Sequence, residues 1–181
     1  MSEQPAVLVV EDETDLADLY AEYLGSTYEV AVAYGGEQAT ELLSDRFDVV
    51  LLDRRMPAVS GDEVLAYMEQ QGIDCRVAMV TAVNPDFDII DLRIDDYLVK
   101  PVTKSEVRDT VDRLLTLETY NERLQALTSK KLKRNVLQVE KPAVELEDSE
   151  DFAILNREIE QLESELETIA GQLDAENIEP L

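Results

Sequence analysis

The chain has 181 residues, 41 of them acidic against 16 basic, for a net charge of −25, yet 45% are hydrophobic. That length suits one ordinary domain plus a smaller part, and the apolar content argues for a folded protein with an acidic surface rather than a disordered one. One cysteine, Cys75, excludes an internal disulfide, and the absence of histidine makes a zinc site improbable and removes histidine from every catalytic or ligating role. Such a surface repels itself in dilute buffer and far less where the Debye length falls to about 3 Å, near 1 M salt, so a salt-rich cytoplasm suits it. The opening MSEQPAVLVV lacks a basic leader and no run reaches membrane-spanning length, so the expectation is a soluble, cytoplasmic protein with no membrane association.

Short apolar runs occur at 6 to 10 (AVLVV), 28 to 33, 48 to 52, 76 to 80 and 96 to 99. Helical patterns lie between them, over 13 to 24, 35 to 45, 61 to 71, more weakly 85 to 92, and from about 103 onward. Strands that alternate with helices predict an α/β domain, with a doubly wound parallel sheet and right-handed crossovers. In such sheets ligands bind beyond the carboxyl ends of the strands.

The residues that leave the strands therefore carry the chemistry. The first run exits into Glu11-Asp12, the third into Asp53, the fourth into Thr81-Ala82 and the fifth into Lys100-Pro101. With the first strand beside the third, and the fourth and fifth following, these groups share one crevice. Crowded carboxylates repel unless one is protonated or a cation lies among them. An all-oxygen set suits Mg²⁺, and a lysine and a hydroxyl suit phosphoryl oxygens, so the pattern indicates phosphoryl transfer to a carboxylate nucleophile.

Residues 5 to 117 resemble the receiver domain of two-component response regulators. The resemblance rests on Glu11-Asp12, on LLDRRMP with Gly61 four residues past the proline, on VTA at 80 to 82 and on DDYLVKP at 95 to 101. It implies a flavodoxin-like, five-stranded parallel sheet of order 2-1-3-4-5 and a sensor histidine kinase as partner. By position, Asp53 resembles the phosphoacceptor. Glu11 and Asp12 resemble the acidic pair that holds Mg²⁺ together with Asp53 and the backbone carbonyl of Arg55, Asp12 being the more direct ligand. Thr81 and Lys100 match the phosphoryl-sensing pair, with the Ala82 amide beside them. Tyr97 matches the switch aromatic, and the Lys100-Pro101 bond is commonly cis in the family. Arg93-Ile94 departs from the usual Gly-Ala, so a differently shaped turn is expected before the fifth strand. Arg54 and Arg55 either balance nearby acid or, for Arg55, reach the phosphoryl group and alter its lifetime.

Beyond residue 117 the pattern stays helical. Val107, Val111, Leu114, Leu117, Tyr120, Leu124 and Leu127 keep steps of three or four, which predicts one helix to about residue 138. Lys141-Pro142 breaks it and ELEDSED reads as an acidic loop. A second helix over about 150 to 174 then carries a heptad seam through Phe152, Leu155, Ile159, Leu162, Leu166, Ile169 and Leu173. A parallel self-pair would set Glu158 against Glu163, whereas an antiparallel hairpin sets the acidic seam beside Lys130, Lys131, Lys133 and Arg134. The hairpin is therefore favoured, with a homodimer through the last receiver helix or the C-terminal helices as a further expectation.

This tail, residues 118 to 181, resembles the HalX domain of halophilic archaea through YNERLQALTSKKLKR and the heptad helix. It implies an output to transcription, and the KKLKR stretch could contact DNA phosphates. Against that, the tail holds 7 basic and 16 acidic residues, and no helix-turn-helix or zinc-finger signature is visible. Two readings compete with a transcriptional regulator. One is a receiver whose tail only oligomerises or binds protein. The other is an aspartate-nucleophile phosphatase, which the chain fits poorly because Arg55 stands where such enzymes carry their acid. The expected protein is not an enzyme on external substrates, although autodephosphorylation of Asp53 is allowed.

Overall fold

A computed structural model describes residues 3–177. The outermost residues of the two expected domains, 1–2 and 178–181, lie outside the described residues. Two compact units result, Met1–Leu115 and Thr116–Leu181.

The first unit is a five-stranded parallel sheet of order 2-1-3-4-5 with flanking helices, the flavodoxin-like fold expected. The strands are β1 Ala6–Val10, β2 Glu29–Ala33, β3 Val49–Leu52, β4 Arg76–Thr81 and β5 Asp96–Val99. Helices α1 Thr14–Leu24, α2 Gly36–Leu42 and α3 Gly61–Gln71 connect them, and α4, Lys104–Glu140, follows β5. Every residue of β1 and β3 is buried because helices cover both faces of the sheet. One apolar layer gathers Leu8, Val10, Val50, Leu52, Val64 and Met68, and the other Val7, Val9, Leu24, Leu51, Val107 and Leu114.

The register aligns the strand ends. Val10 pairs with Leu52, Leu52 with Met79, and Thr81 with Val99. Glu11, Asp53, Thr81 and Lys100 therefore leave the sheet along one edge.

Three local expectations are corrected. The segment expected to be helical over 85 to 92 is a single 3₁₀ turn, Phe87–Asp91. Phe87 and Ile90 are exposed and four short polar or acidic residues, Asn84, Asp86, Asp88 and Asp91, compete for the backbone, so no apolar stripe holds an α-helix there. Helix α2 stops at Leu42, short of the expected 45, because Leu43 turns extended and buries its side chain. The presumed acidic loop contains α5, Ala143–Glu147, which begins after Pro142, where the missing N–H costs nothing.

In the second unit α4 runs on to Glu140 and pairs antiparallel with α6, Glu150–Asn177. Leu127, Ile159 and Leu166 are its buried core, with Tyr120, Leu155 and Leu162 packed half-buried around them. Arg123 pairs with Glu165 at 3.1 Å, Lys130 with Glu158 at 2.8 Å and Lys131 with Glu163 at 2.8 Å. Two helices cover only one stripe of each other, so just Ile159 and Leu166 of the seven-residue seam become buried.

Candidate functional site

The crevice at the carboxyl edge of the sheet is built from backbone upward. Glu11 N–H donates to the Ala33 carbonyl at 3.1 Å and Asp53 N–H to the Val10 carbonyl at 3.0 Å, extending the ladders one residue past β1 and β3. Lys100 N–H donates to the Thr81 carbonyl at 2.8 Å and does the same for β4 and β5. Glu11, Asp53 and Lys100 are thus mounted on the first residue beyond a strand, and Thr81 on the last residue of β4. The Lys100-Pro101 bond is cis.

Glu11, Asp53 and Thr81 are buried, Asp12 is half-buried and Ala82 is exposed. The Lys100 ammonium lies 2.7 Å from Glu11 Oε2 and 3.3 Å from Asp53 Oδ2. One carboxylate oxygen from each of Glu11, Asp12 and Asp53 lies within 4.8 Å of the other two. Burial pushes the Glu11 carboxyl up to about 7, and the Asp53 charge adds to that push, while the Lys100 hydrogen bond opposes it. Burial alone would lower Lys100, but Glu11 and Asp53 hold its pKa above the ordinary value. Three hard oxygens with one lysine beside them fit Mg²⁺ and fit no soft metal.

The loop after β3 folds back on the site. Gly61 N–H donates to the Arg54 carbonyl at 2.8 Å, and a Cβ at Gly61 would fall 2.5 Å from the Asp53 carbonyl oxygen. The turn includes Ala58 at φ 65°, and α3 then starts on a reciprocal Ser60–Glu63 cap.

The two arginines separate. Arg55 offers its N–H to Asp53 Oδ1 at 3.4 Å, and its side chain stands exposed. Arg54 is the engaged one: its guanidinium pairs with Asp62 at 3.1 Å and with Asp88, and these two acids, with the Tyr97 hydroxyl, hold it more basic than usual. It ties the residue next to Asp53 to the 3₁₀ turn. No spacing rule relates residues 54, 62 and 88, so the sequence carries no signal for this contact.

Val83 links Thr81 to Tyr97, which sequence reading also missed. Its N–H donates to Thr81 Oγ1 at 3.4 Å, and its carbonyl accepts from the half-buried Tyr97 hydroxyl at 2.6 Å. At the unusual Arg93-Ile94 turn, Arg93 is exposed near Glu69 at 3.9 Å, and Ile94 packs against the core.

In the basic cluster of the tail, Lys130 and Lys131 carry the ion pairs to α6 noted above. Arg134 is half-buried and Lys133 exposed. Lys131, with Arg134 near it, holds the Glu163 carboxyl below its ordinary value.

Residues 7–112 match the family model of the response regulator receiver domain, and residues 116–181 that of the HalX domain. A Haloferax volcanii protein bearing a transcriptional regulator's name is 56% identical over 113 residues, which is 62% of this chain and 19% of that protein. Response regulator SaeR of Staphylococcus aureus is 35% identical over 116 residues, 61% of this chain and 50% of SaeR. The chain thus spans half or less of the length of these relatives. The crystal structure of the response regulator TrrA of Thermotoga maritima, in complex with Mg²⁺-BeF, superposes with a TM-score of 0.54 at 30% identity, covering 61% of this chain and 99% of TrrA. No helix among the described residues is long and apolar enough to cross a membrane. The sheet order, the acidic crevice closed by Lys100 and the family match over most of the first unit agree, and the chain belongs to the response regulator receiver family of two-component systems, with a HalX domain behind the receiver.

Proposed function

We propose that this response regulator is a cytoplasmic phosphorylation switch, charged on Asp53 by a sensor histidine kinase and read out to transcription through its HalX domain. The observation that carries the proposal is a carboxylate at the mouth of a rigid crevice with an ammonium 3.3 Å away and two further carboxylates beside it. An Asp53 oxygen attacks phosphorus as the bond between phosphorus and the donor breaks, and the donor keeps the electron pair. Lys100 moves from its carboxylate partners to a phosphoryl oxygen, and the Thr81 hydroxyl donates to another. Asp12, Asp53, Glu11 and the Arg55 carbonyl would hold Mg²⁺, which neutralises charge on the transferring group. Hydrolysis, in which water attacks phosphorus and restores the Asp53 carboxylate, is the turnover proposed; Arg55 stands where an acid for external phosphoesters would be needed.

Thr81 and Tyr97 carry the switch in this proposal. A hydroxyl drawn toward the phosphoryl group lets go of the Val83 N–H, and Val83 in turn holds the Tyr97 hydroxyl. The receiver, residues 1–117, would pass that change to the HalX part, residues 118–181. A second reading, a tail that pairs with protein and never with DNA, is favoured by one observation: Lys130 and Lys131 already neutralise Glu158 and Glu163.

Phosphorylation with a small phosphodonor and Mg²⁺ tests the switch. Wild type is labelled and Asp53→Asn is not; equal labelling of the two sinks the assignment. Footprinting the labelled protein on promoter DNA in molar KCl then separates the two outputs.

A further inference from the structure

From Arg123 to Val139, α4 carries five cations and not one acid, in a chain whose net charge is −25. Three of these cations, Arg123, Lys130 and Lys131, turn toward α6 and pair with its carboxylates. The opposite side of the same helix has no cover among the described residues. Leu132, Val136 and Val139 stand 61%, 60% and 82% exposed, although steps of four and three place them on one stripe. Three neighbouring aliphatic residues have no use against a phosphate backbone, and a monomeric surface gains nothing from them.

At about 100° per residue, Lys133 and Glu140 fall on one flank of this stripe, and Thr128 and Asn135 on the other. Both members of the charged flank are exposed. In an antiparallel pair of identical helices, a flank meets its own counterpart. With the two-fold axis at Val136, that residue meets itself, Leu132 meets Val139, and Lys133 meets Glu140 of the second copy. The last two pairings each lie within one residue of exact two-fold register, an offset of about 1.5 Å that the side chains span. A parallel pair would set the charged flank against Thr128 and Asn135 and gain no ion pairs.

We propose that this face of α4 is a homodimer contact, occupied by the same face of a second copy in antiparallel orientation about Val136. The choice of occupant rests on that charge complementarity: the chain's most cationic acid-free stretch ends beside Glu140, so the surface complements itself. The contact uses the HalX hairpin alone and stands whether or not Asp53 accepts phosphate, so unmodified full-length protein serves for the test.

Sedimentation equilibrium between about 0.2 and 1 M KCl, a range in which bulk repulsion between acidic chains is progressively screened, reads the association. Wild type forms a reversible dimer. Val136→Glu opposes two carboxylates at the axis and weakens it by about tenfold or more. Lys133→Glu and Glu140→Lys each weaken it several-fold at the lower salt, and the double swap regains the wild-type constant. These residues are exposed, and far-UV circular dichroism verifies that the hairpin stays helical. A monomeric wild type across the accessible concentrations overturns the proposal, as does a helical Val136→Glu with unchanged association. A double swap no better than the single variants also overturns it. Duplex DNA retention that Lys133→Glu removes, with the mass unchanged, would give the face to nucleic acid instead.

Discussion

A single carboxyl shows how strongly the crevice depends on charge balance. The Glu11 carboxyl is 1% exposed, and its pKa rises from 4.5 to about 7, first through burial and then through Asp53. A folded value above the unfolded one means that the neutral acid is favoured. Its contribution to stability is complete below about 4.5 and is lost as the pH climbs through about 7. In metal-free buffer Glu11→Gln should therefore match wild type near pH 5 and exceed it in stability near pH 8, values chosen to bracket about 7. Added Mg²⁺ should erase the difference by favouring wild type. Thermal melts across that range give the comparison, and a gap that closes rather than opens with rising pH would refute it. Gly61 is a second residue with no freedom. Its missing Cβ leaves room for the Asp53 carbonyl at 2.5 Å and the Arg54 Cα at 2.8 Å, so neither backbone atom can yield without moving Asp53. Gly61→Ala should cost about 1–3 kcal/mol of stability and slow labelling of Asp53, measured by denaturant titration and phosphodonor kinetics. Normal labelling in a destabilised variant would separate the loop's packing from the site.

At the level of elements, the receiver and the hairpin differ in what holds them. The three inner strands, β1, β3 and β4, are almost wholly buried, and their residues fall into two apolar layers. Among the described residues the hairpin has three buried side chains along a helix pair, so each of them matters more. Ile159 is the most enclosed of the three at 1% exposure. Ile159→Ala should cost about 2–5 kcal/mol and lower the helical signal of the tail in circular dichroism. An unaltered melt would show that the hairpin is held mainly by its ion pairs.

For the whole molecule, the dominant fact is a net charge of −25. Self-repulsion works against a compact state at any distance within the screening length, which is about 10 Å at 0.1 M salt and about 3 Å at 1 M. Raising KCl across that range should lift the melting temperature by several degrees, whereas sucrose at equal osmolality should do less. Calorimetry distinguishes them, and an equal rise with both would point to preferential exclusion rather than charge.

Much of this protein is readable from local sequence. A strand buried on both faces writes itself as an uninterrupted apolar run, and the residue after it needs no tertiary information to be located. Asp53 after VVLL and Glu11 after AVLVV are located in that way, whereas Lys100 follows the half-exposed edge strand DYLV and is placed by the DDYLVKP motif. The helical phase of α4 and α6 was equally local, since it depends only on steps of three and four. What the sequence could not determine is which of two adjacent groups turns inward. Arg54 and Arg55 are identical in type, and only the return of Gly61 and the approach of Asp62 and Asp88 select Arg54. The 3₁₀ turn was misread because its apolar residues, Phe87 and Ile90, have nothing from the rest of the fold to pack against. The same reason governs α4: its sequence carries two apolar stripes, and the position of α6 alone decides which is covered and which stays exposed.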